Sequence, residues 1–328
     1  MRAMVLAAGK GTRLQPLTYE MPKPMVPVAN RPIMEHILDL LKRHRLNEIV
    51  ANLSYLPEQI TEHFGDGAGH GVAIEWSFEE RLLGTAGGVR NVREFFGDEA
   101  FLVMAADALS DIDLSALREA HESNDGIATL AVTGVTDTRE YGVVVSDSDG
   151  RIQGFQEKPD PAEALSDLAN CMIYVLEPAI FDYFPDRDEV DFALDVFPEL
   201  LANDVPFYVH QTDAYWNDVG SIDEYRQGNF DAISGALEVE SPAPDAGDGV
   251  SVGRGTTLAD GAEVEPPVLV GSNCDIGVDA RLRGPLVIGD GCRVGAGAVL
   301  RECVLLGGVT VPDRTSLVGA IAAPRTLA

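Results

Sequence analysis

Small residues crowd one stretch near the N-terminus, Leu6-Ala7-Ala8-Gly9-Lys10-Gly11-Thr12-Arg13-Leu14, which runs on through Pro16-Leu17-Thr18 to Pro22-Lys23-Pro24. At the end of a strand, such residues let backbone N–H groups approach phosphate oxygens that larger side chains would hold off. Arg13 and Lys23 add positive charge suited to a triphosphate. The stretch has neither the P-loop spacing GxxxxGK followed by Ser or Thr nor the dinucleotide-binding GxGxxG. On spacing alone it also fits an ordinary turn. A second candidate is Asp107, directly after the apolar run 101–106. If that run is a strand, its acid stands at the carboxyl edge of a sheet, where open α/β folds place ligands.

The elements that must position these residues are legible in the patterning. At 328 residues and 45% hydrophobic, the chain is expected to hold two domains. The first ~230 residues alternate apolar runs of strand length with segments of helical period. Residues 4–7, 49–53, 72–76, 101–105 and 127–132 read as strands, and 32–43, 57–64, 88–96 and 114–122 as helices. The run Asp147-Ser148-Asp149-Gly150 is turn chemistry between strands at 142–145 and 151–155. A strand at 170–175, a helix at 192–202, a strand at 207–211 and a helix at 222–233 follow. The pattern predicts an α/β domain over 1–237, with a doubly wound, mostly parallel, Rossmann-like sheet covered on both faces.

Residues 238–249 turn to Pro, Ala, Asp and Gly, as a linker would. Beyond them positions 252, 258, 264, 270, 276, 282, 288, 294, 300 and 306 are all aliphatic, a strict period of six. No helix of 3.6 residues per turn keeps that period on one face. A three-sided parallel β-coil does, so 250–328 is expected to be a left-handed parallel β-helix of hexapeptide repeats. Many such coils are acyltransferases with a histidine base. Here the last histidine, His210, precedes the coil, which favours a structural or oligomerising role.

The formal net charge of −29 repels nucleic acid and anionic membranes, so neither is an expected partner. Only four lysines accompany twenty arginines, and acids are scattered throughout, a bias that fits either a salt-adapted host or a GC-rich genome. The four cysteines form no CxxC pair and are expected to be buried small hydrophobes rather than a disulfide scaffold or zinc site. Apolar runs stop short of the ~18 residues a bilayer crossing needs, and the N-terminus lacks a signal-peptide pattern. A soluble, cytoplasmic protein is expected.

Taken together, the first loop and Pro22-Lys23-Pro24 resemble the signature of the sugar-1-phosphate nucleotidyltransferase (nucleotidyl pyrophosphorylase) family. Further stretches agree in order over residues 1–235. Leu83-Gly84-Thr85-Ala86-Gly87 resembles the base- and sugar-facing segment. Tyr141-Gly142-Val143-Val144 and Phe155-Gln156-Glu157-Lys158-Pro159 resemble the sugar-phosphate motifs, and Trp216-Asn217-Asp218-Val219-Gly220 the closing metal motif. A hexapeptide coil behind the first domain is also a family habit.

The resemblance implies that Asp107 and Asp218 ligate Mg²⁺, that Lys23 and Arg13 contact the triphosphate, and that Lys158 holds the sugar 1-phosphate. It places the nucleotide along Leu6, Ala7, Ala8, Gly9, Gly11, Thr12, Gly84 and Thr85. It makes Glu157 and Asn170 sugar hydroxyl partners and turns the backbone of Gly142 toward the sugar. The implied partners are a nucleoside triphosphate and a sugar 1-phosphate, and self-association into a homo-oligomer is expected.

Two departures stand out. Ala105-Ala106 precedes Asp107 where relatives often carry Gly or Ser. Asn170-Cys171-Met172 replaces the usual Asn-Ala-Gly, which adds bulk near the sugar and leaves its identity open. The motifs are most like the GTP:mannose-1-phosphate guanylyltransferase branch. UTP- or dTTP-dependent glucose-1-phosphate enzymes, and a non-catalytic subunit that binds nucleotide sugar, are the alternatives.

Overall fold

The computed structural model describes residues 1–241, 243 and 248–324. Within the stretch read as a linker, residues 242 and 244–247 lie outside the described residues, as do 325–328 of the coil. The chain forms two compact units. One comprises Met1–Gly11, Met21–Pro24 and Ile37–Asp218; the other comprises Thr12–Glu20, Met25–His36 and the chain from Val219 onward.

The first unit is built on a nine-stranded sheet: β1 (Ala3–Leu6), β2 (Glu48–Leu53), β3 (Ala73–Phe78), β4 (Phe101–Ala105), β5 (Ala128–Gly134), β6 (Gly142–Ser146), β7 (Ile152–Glu157), β8 (Leu168–Leu176) and β9 (Tyr208–Gln211). Their order is β7-β6-β8-β4-β1-β2-β3, with β5 also on β8 and β9 on β5. The sheet is mixed. The strands from β4 to β3 run parallel, whereas β8 is antiparallel to β4, β5 and β6. Met4, Val50 and Val103 are all essentially inaccessible, as strands covered on both faces require, which is why they read as unbroken apolar runs. Register then positions the chemistry: Leu6 pairs with Asn52 on one side and Ala105 on the other. The first loop and Asp107 therefore leave the sheet at the same edge.

Strand β8 departs from regular pairing. Asn170 faces Val132 and Tyr174 faces Leu130, so the intervening residues bulge out, with Met172 at φ +56°. A helix over Leu114–Glu122 matches its sequence reading, capped by Asp113, whose carboxylate accepts from Ser115 and Ala116 N–H.

Two helix readings are corrected. The segment read as 88–96 instead starts at Gly84, runs to Asn91, and is followed by a separate turn over Arg93–Phe96. The start carries no side-chain cap; Ala86 and Gly87 N–H donate to the Val190 carbonyl instead, a tertiary partner that local sequence does not announce. Gly84 sits at φ +76°, and a Cβ there would stand 2.3 Å from the Val190 oxygen, so glycine is required twice over. The segment read as 192–202 opens with a π turn over Phe192–Val196 before its α-helix, Phe197–Ala202.

In the second unit three parallel sheets form the sides of the expected left-handed β-helix. One joins Val250–Val252, Val268–Val270, Leu286–Ile288, Val304–Leu305 and Ile321–Ala322. The second joins Thr257–Leu258, Asp275–Ile276, Arg293–Val294 and Thr310–Val311, and the third Glu263–Glu265, Arg281–Arg283, Val299–Arg301 and Ser316–Val318. The hexad residues Val270, Ile276, Leu282, Ile288, Val294 and Leu300 stack in a buried interior. The tenth hexad position is corrected: Leu305, not Leu306, pairs with Ile288 and joins the interior. The chain turns through Glu302 at φ +53° and reaches the next face one residue early, after which Val311 and Leu317 resume the period of six. At the first coil, which has a strand neighbour on one side only, Leu258 is 45% exposed.

The same unit contains the helix Ile222–Ser234, which packs on the side of the coil that includes Leu286–Ile288. Arg226 donates to the Gly319 carbonyl, Tyr225 OH to the Pro27 carbonyl, and Ala29 N–H to Asn229 Oδ1. All four cysteines are free and buried, as expected. No helix among the described residues is long and apolar enough to cross a membrane.

With a net charge of −29, acid–acid repulsion opposes both units. Raising KCl from about 0.05 M to about 1 M shrinks the Debye length from roughly 14 to 3 Å. The thermal midpoint followed by circular dichroism is expected to climb by several degrees; a flat or falling midpoint would show that this repulsion does not limit stability.

Candidate functional site

The first unit brings Lys23, Asp107 and Asp218 together. Asp107 follows β4, and Ala106 N–H donates to the Leu6 carbonyl, which ties the end of β4 to the end of β1. A short antiparallel ribbon pairs Trp216 with Ser110 and Asn217 with Leu109, carrying Asp218 alongside. Lys23 Nζ lies 2.5 Å from Asp107 Oδ2 and 3.0 Å from the Asp218 carbonyl oxygen. The Lys23 side chain is only 9% exposed, whereas that of Asp107 is 32% exposed. A buried ammonium needs an anionic partner, and one open to ligand suits a charge centre rather than a structural ion pair. Both acids offer hard oxygen donors, the class that Mg²⁺ takes one or two at a time alongside phosphate oxygens and water.

In the first loop Ala7 and Ala8 are buried, and Ala7 N–H donates to Asn52 Oδ1. Gly9 is exposed, and a Cβ there would meet nothing within 4 Å. Gly11 closes this part of the loop at φ +61°. Thr12 and Arg13 fold with the second unit, in a 3₁₀ turn over Thr12–Leu14, with Arg13 exposed. Gly84 and Thr85 open the helix described above. Thr85 Oγ1 donates to Asp191 Oδ2 at 2.7 Å and accepts from Phe192 N–H, so its hydroxyl is engaged in holding the π turn.

On the sugar side, Gly142 and Glu157 face each other across β6 and β7. A Cβ on Gly142 would stand 3.5 Å from Glu157 Oε2, with nothing else within 4 Å. Lys158 is exposed at φ +46°, and its N–H donates to the Tyr141 carbonyl. Asn170 is engaged at both ends: Nδ2 donates to Tyr174 OH and Oδ1 accepts from Met172 N–H. Tyr174 OH in turn donates to the Met172 sulfur at 2.9 Å. Burial pushes the Tyr174 hydroxyl pKa well up, so it remains a donor at neutral pH. The Met172 side chain packs, partly buried, against the core cluster that includes Tyr174. The neighbouring Cys171 thiol is likewise pushed up by burial and is inert as a nucleophile.

Several contacts, one of them made by the motif residue Trp216, escape sequence reading. Trp216 Nε1 donates to the Cys171 carbonyl, and its ring lies edge-on to Tyr141 with centroids 5.4 Å apart. One indole thereby joins the β6 entry, the β8 bulge and the ribbon that carries Asp218. Asn52 and Glu79 are buried polar residues hydrogen-bonded to each other. Their signal is a polar residue one place before the end of an apolar strand and an acid just past the next, too common a pattern to single out.

Residues 2–234 match the nucleotidyl transferase family. The chain is 40% identical over 286 residues to a UTP–glucose-1-phosphate uridylyltransferase of Synechocystis sp., covering 83% of this chain and 74% of that protein. It is 36% identical over 283 residues to a mannose-1-phosphate guanylyltransferase of Mycobacterium tuberculosis, covering 84% and 76%. A Bacillus anthracis protein assigned as a glucose-1-phosphate thymidylyltransferase, solved with sucrose, shares the fold, with a TM-score of 0.65, 23% identity and coverage of 73% of this chain and 97% of that one.

Proposed function

Because the chain belongs to the nucleotidyl transferase family, we propose that it joins a sugar 1-phosphate to a nucleoside triphosphate, giving a nucleotide sugar and pyrophosphate. The observation that carries this reading is Lys23, held between the Asp107 carboxylate and the Asp218 carbonyl where β1 and β4 end. The nucleophile is an oxygen of the sugar phosphate, ionised near neutral pH, so no histidine or carboxylate base is needed. A bond forms from that oxygen to the α-phosphorus while the bond from the α-phosphorus to the bridging oxygen of pyrophosphate breaks.

The obstacle is charge. Two unit anions at ~4 Å repel by roughly 4 kcal/mol at an effective dielectric near 20. Lys23 offsets this at the triphosphate and Lys158 at the sugar phosphate, while Gly142 and Glu157 orient the sugar. The Mg²⁺ that Asp107 and Asp218 would hold supplies further positive charge to the triphosphate oxygens. Catalysis on this reading is alignment plus electrostatics.

Residues 83–87 and 141–145 resemble the guanylyltransferase branch, so GTP with mannose 1-phosphate is the first pair. The 40% identical relative favours a second reading, UTP with glucose 1-phosphate. Five nucleoside triphosphates assayed against mannose, glucose, N-acetylglucosamine and galactose 1-phosphates, with pyrophosphate release as readout, separate them. One pair is expected to dominate kcat/KM by at least about tenfold. No release with any pair would refute the reaction itself.

A further inference from the structure

A buried polar chain in the first unit touches two segments of the nucleotide side without itself being assigned a role. Ala7 N–H donates to Asn52 Oδ1 at 2.8 Å, Asn52 Nδ2 donates to Glu79 Oε1 at 2.7 Å, and Leu83 N–H donates to Glu79 Oε2 at 3.1 Å. The Glu79 backbone is itself fixed, its N–H donating to the Leu53 carbonyl at 2.8 Å. Asn52 is 3% exposed and Glu79 6%. We propose that Asn52 and Glu79 are positioning residues that set the Ala7-Ala8-Gly9 turn against the Leu83-Gly84 turn and so fix the shape of the triphosphate site. This rests on the nucleotidyltransferase reading above.

The chemistry of each position is specified. Two donors arrive at residue 79, one from Asn52 and one from Leu83, and a carboxylate offers an acceptor oxygen to each, whereas glutamine offers only one. Residue 52 must accept from Ala7 and donate to Glu79; asparagine does both, and aspartate cannot donate. An apolar pair would leave the Ala7 and Leu83 N–H groups without these acceptors, so the two turns are tied together through the pair's polar atoms. The helix from Gly84 closes over the pair: a Cβ on Gly88 would stand 2.7 Å from Asn52 Nδ2 and 2.8 Å from Glu79 Oε1. Three elements thus meet at one acid–amide pair, and Gly88→Ala presses on it without deleting any polar group.

The test compares Glu79→Gln, Glu79→Asp and Gly88→Ala with the wild type. Steady-state kinetics use the best substrate pair, and calorimetry measures GTP and UTP binding without metal. Glu79→Gln and Gly88→Ala are expected to raise the KM for the triphosphate, and its Kd, by about tenfold, the scale of one buried hydrogen bond. The KM for the sugar 1-phosphate should stay within about twofold, while the thermal midpoint falls by a few degrees as the buried pair is disturbed. Glu79→Asp, which keeps two acceptor oxygens, should recover part of the loss. Unaltered triphosphate binding in Glu79→Gln and Gly88→Ala would overturn the proposal. So would a parallel rise in both KM values that tracks a falling midpoint, since that is the mark of a structural role. If the wild type released no pyrophosphate, the parent reaction would fail, and calorimetry would still decide the brace.

Discussion

Asp107→Ala is expected to cut kcat by at least about 10³-fold, on the order of 4 kcal/mol of transition-state stabilisation. The aspartate stands at the carboxyl end of β4, level with the first loop, and is the anionic partner of the nearly buried Lys23 ammonium. Its loss would remove a proposed Mg²⁺ ligand and release the lysine from its place. Leaving Lys23 without this partner would also cost stability, so Asp107→Asn provides the control. The amide retains an acceptor for Lys23 but is a far poorer metal ligand than a carboxylate. Both variants should lose turnover, with the thermal midpoint of Asp107→Asn closer to wild type. Pyrophosphate release against Mg²⁺ concentration is the measurement, and a kcat within tenfold of wild type in Asp107→Asn would remove the metal assignment.

Lys158→Ala should act on the other substrate. The side chain is exposed at the end of β7, so its removal should leave the thermal midpoint within about a degree. A charge-assisted hydrogen bond to phosphate contributes about 2–3 kcal/mol, which corresponds to a KM for the sugar 1-phosphate raised by roughly 30- to 150-fold. The KM for the triphosphate should change less than about twofold. Equal effects on both KM values would place Lys158 outside the sugar-phosphate subsite.

Much of the architecture was legible because burial imposes its own period. Strands β1, β2 and β4 are covered on both faces and must be apolar throughout. The coil interior admits one aliphatic residue every six, and the buried column from Val270 to Leu300 follows that rule. What escaped reading depends on distant partners. The helix at Gly84 begins without a local cap because the Val190 carbonyl, far along the chain, accepts from its first turn. The period of six points to Leu306 rather than Leu305 because a shortened turn leaves no mark in composition. In the candidate site, Lys23, Asp107 and Asp218 were found as motif members, and the structure brings all three together. Asn52 and Glu79 matter through what they touch, as single residues at unremarkable spacings carry no advance notice of their neighbours, and Trp216, though a motif member, gives no sign in sequence of its Cys171 carbonyl partner.

The chain passes from one unit to the other after Gly11, Glu20, Pro24, His36 and Asp218. During synthesis, therefore, segments 12–20 and 25–36 leave the ribosome long before the C-terminal body with which they fold exists. The contacts that residues 25–36 make to the helix Ile222–Ser234, Tyr225 OH on the Pro27 carbonyl and Ala29 N–H on Asn229 Oδ1, can close only after about 200 further residues have been added to the growing chain.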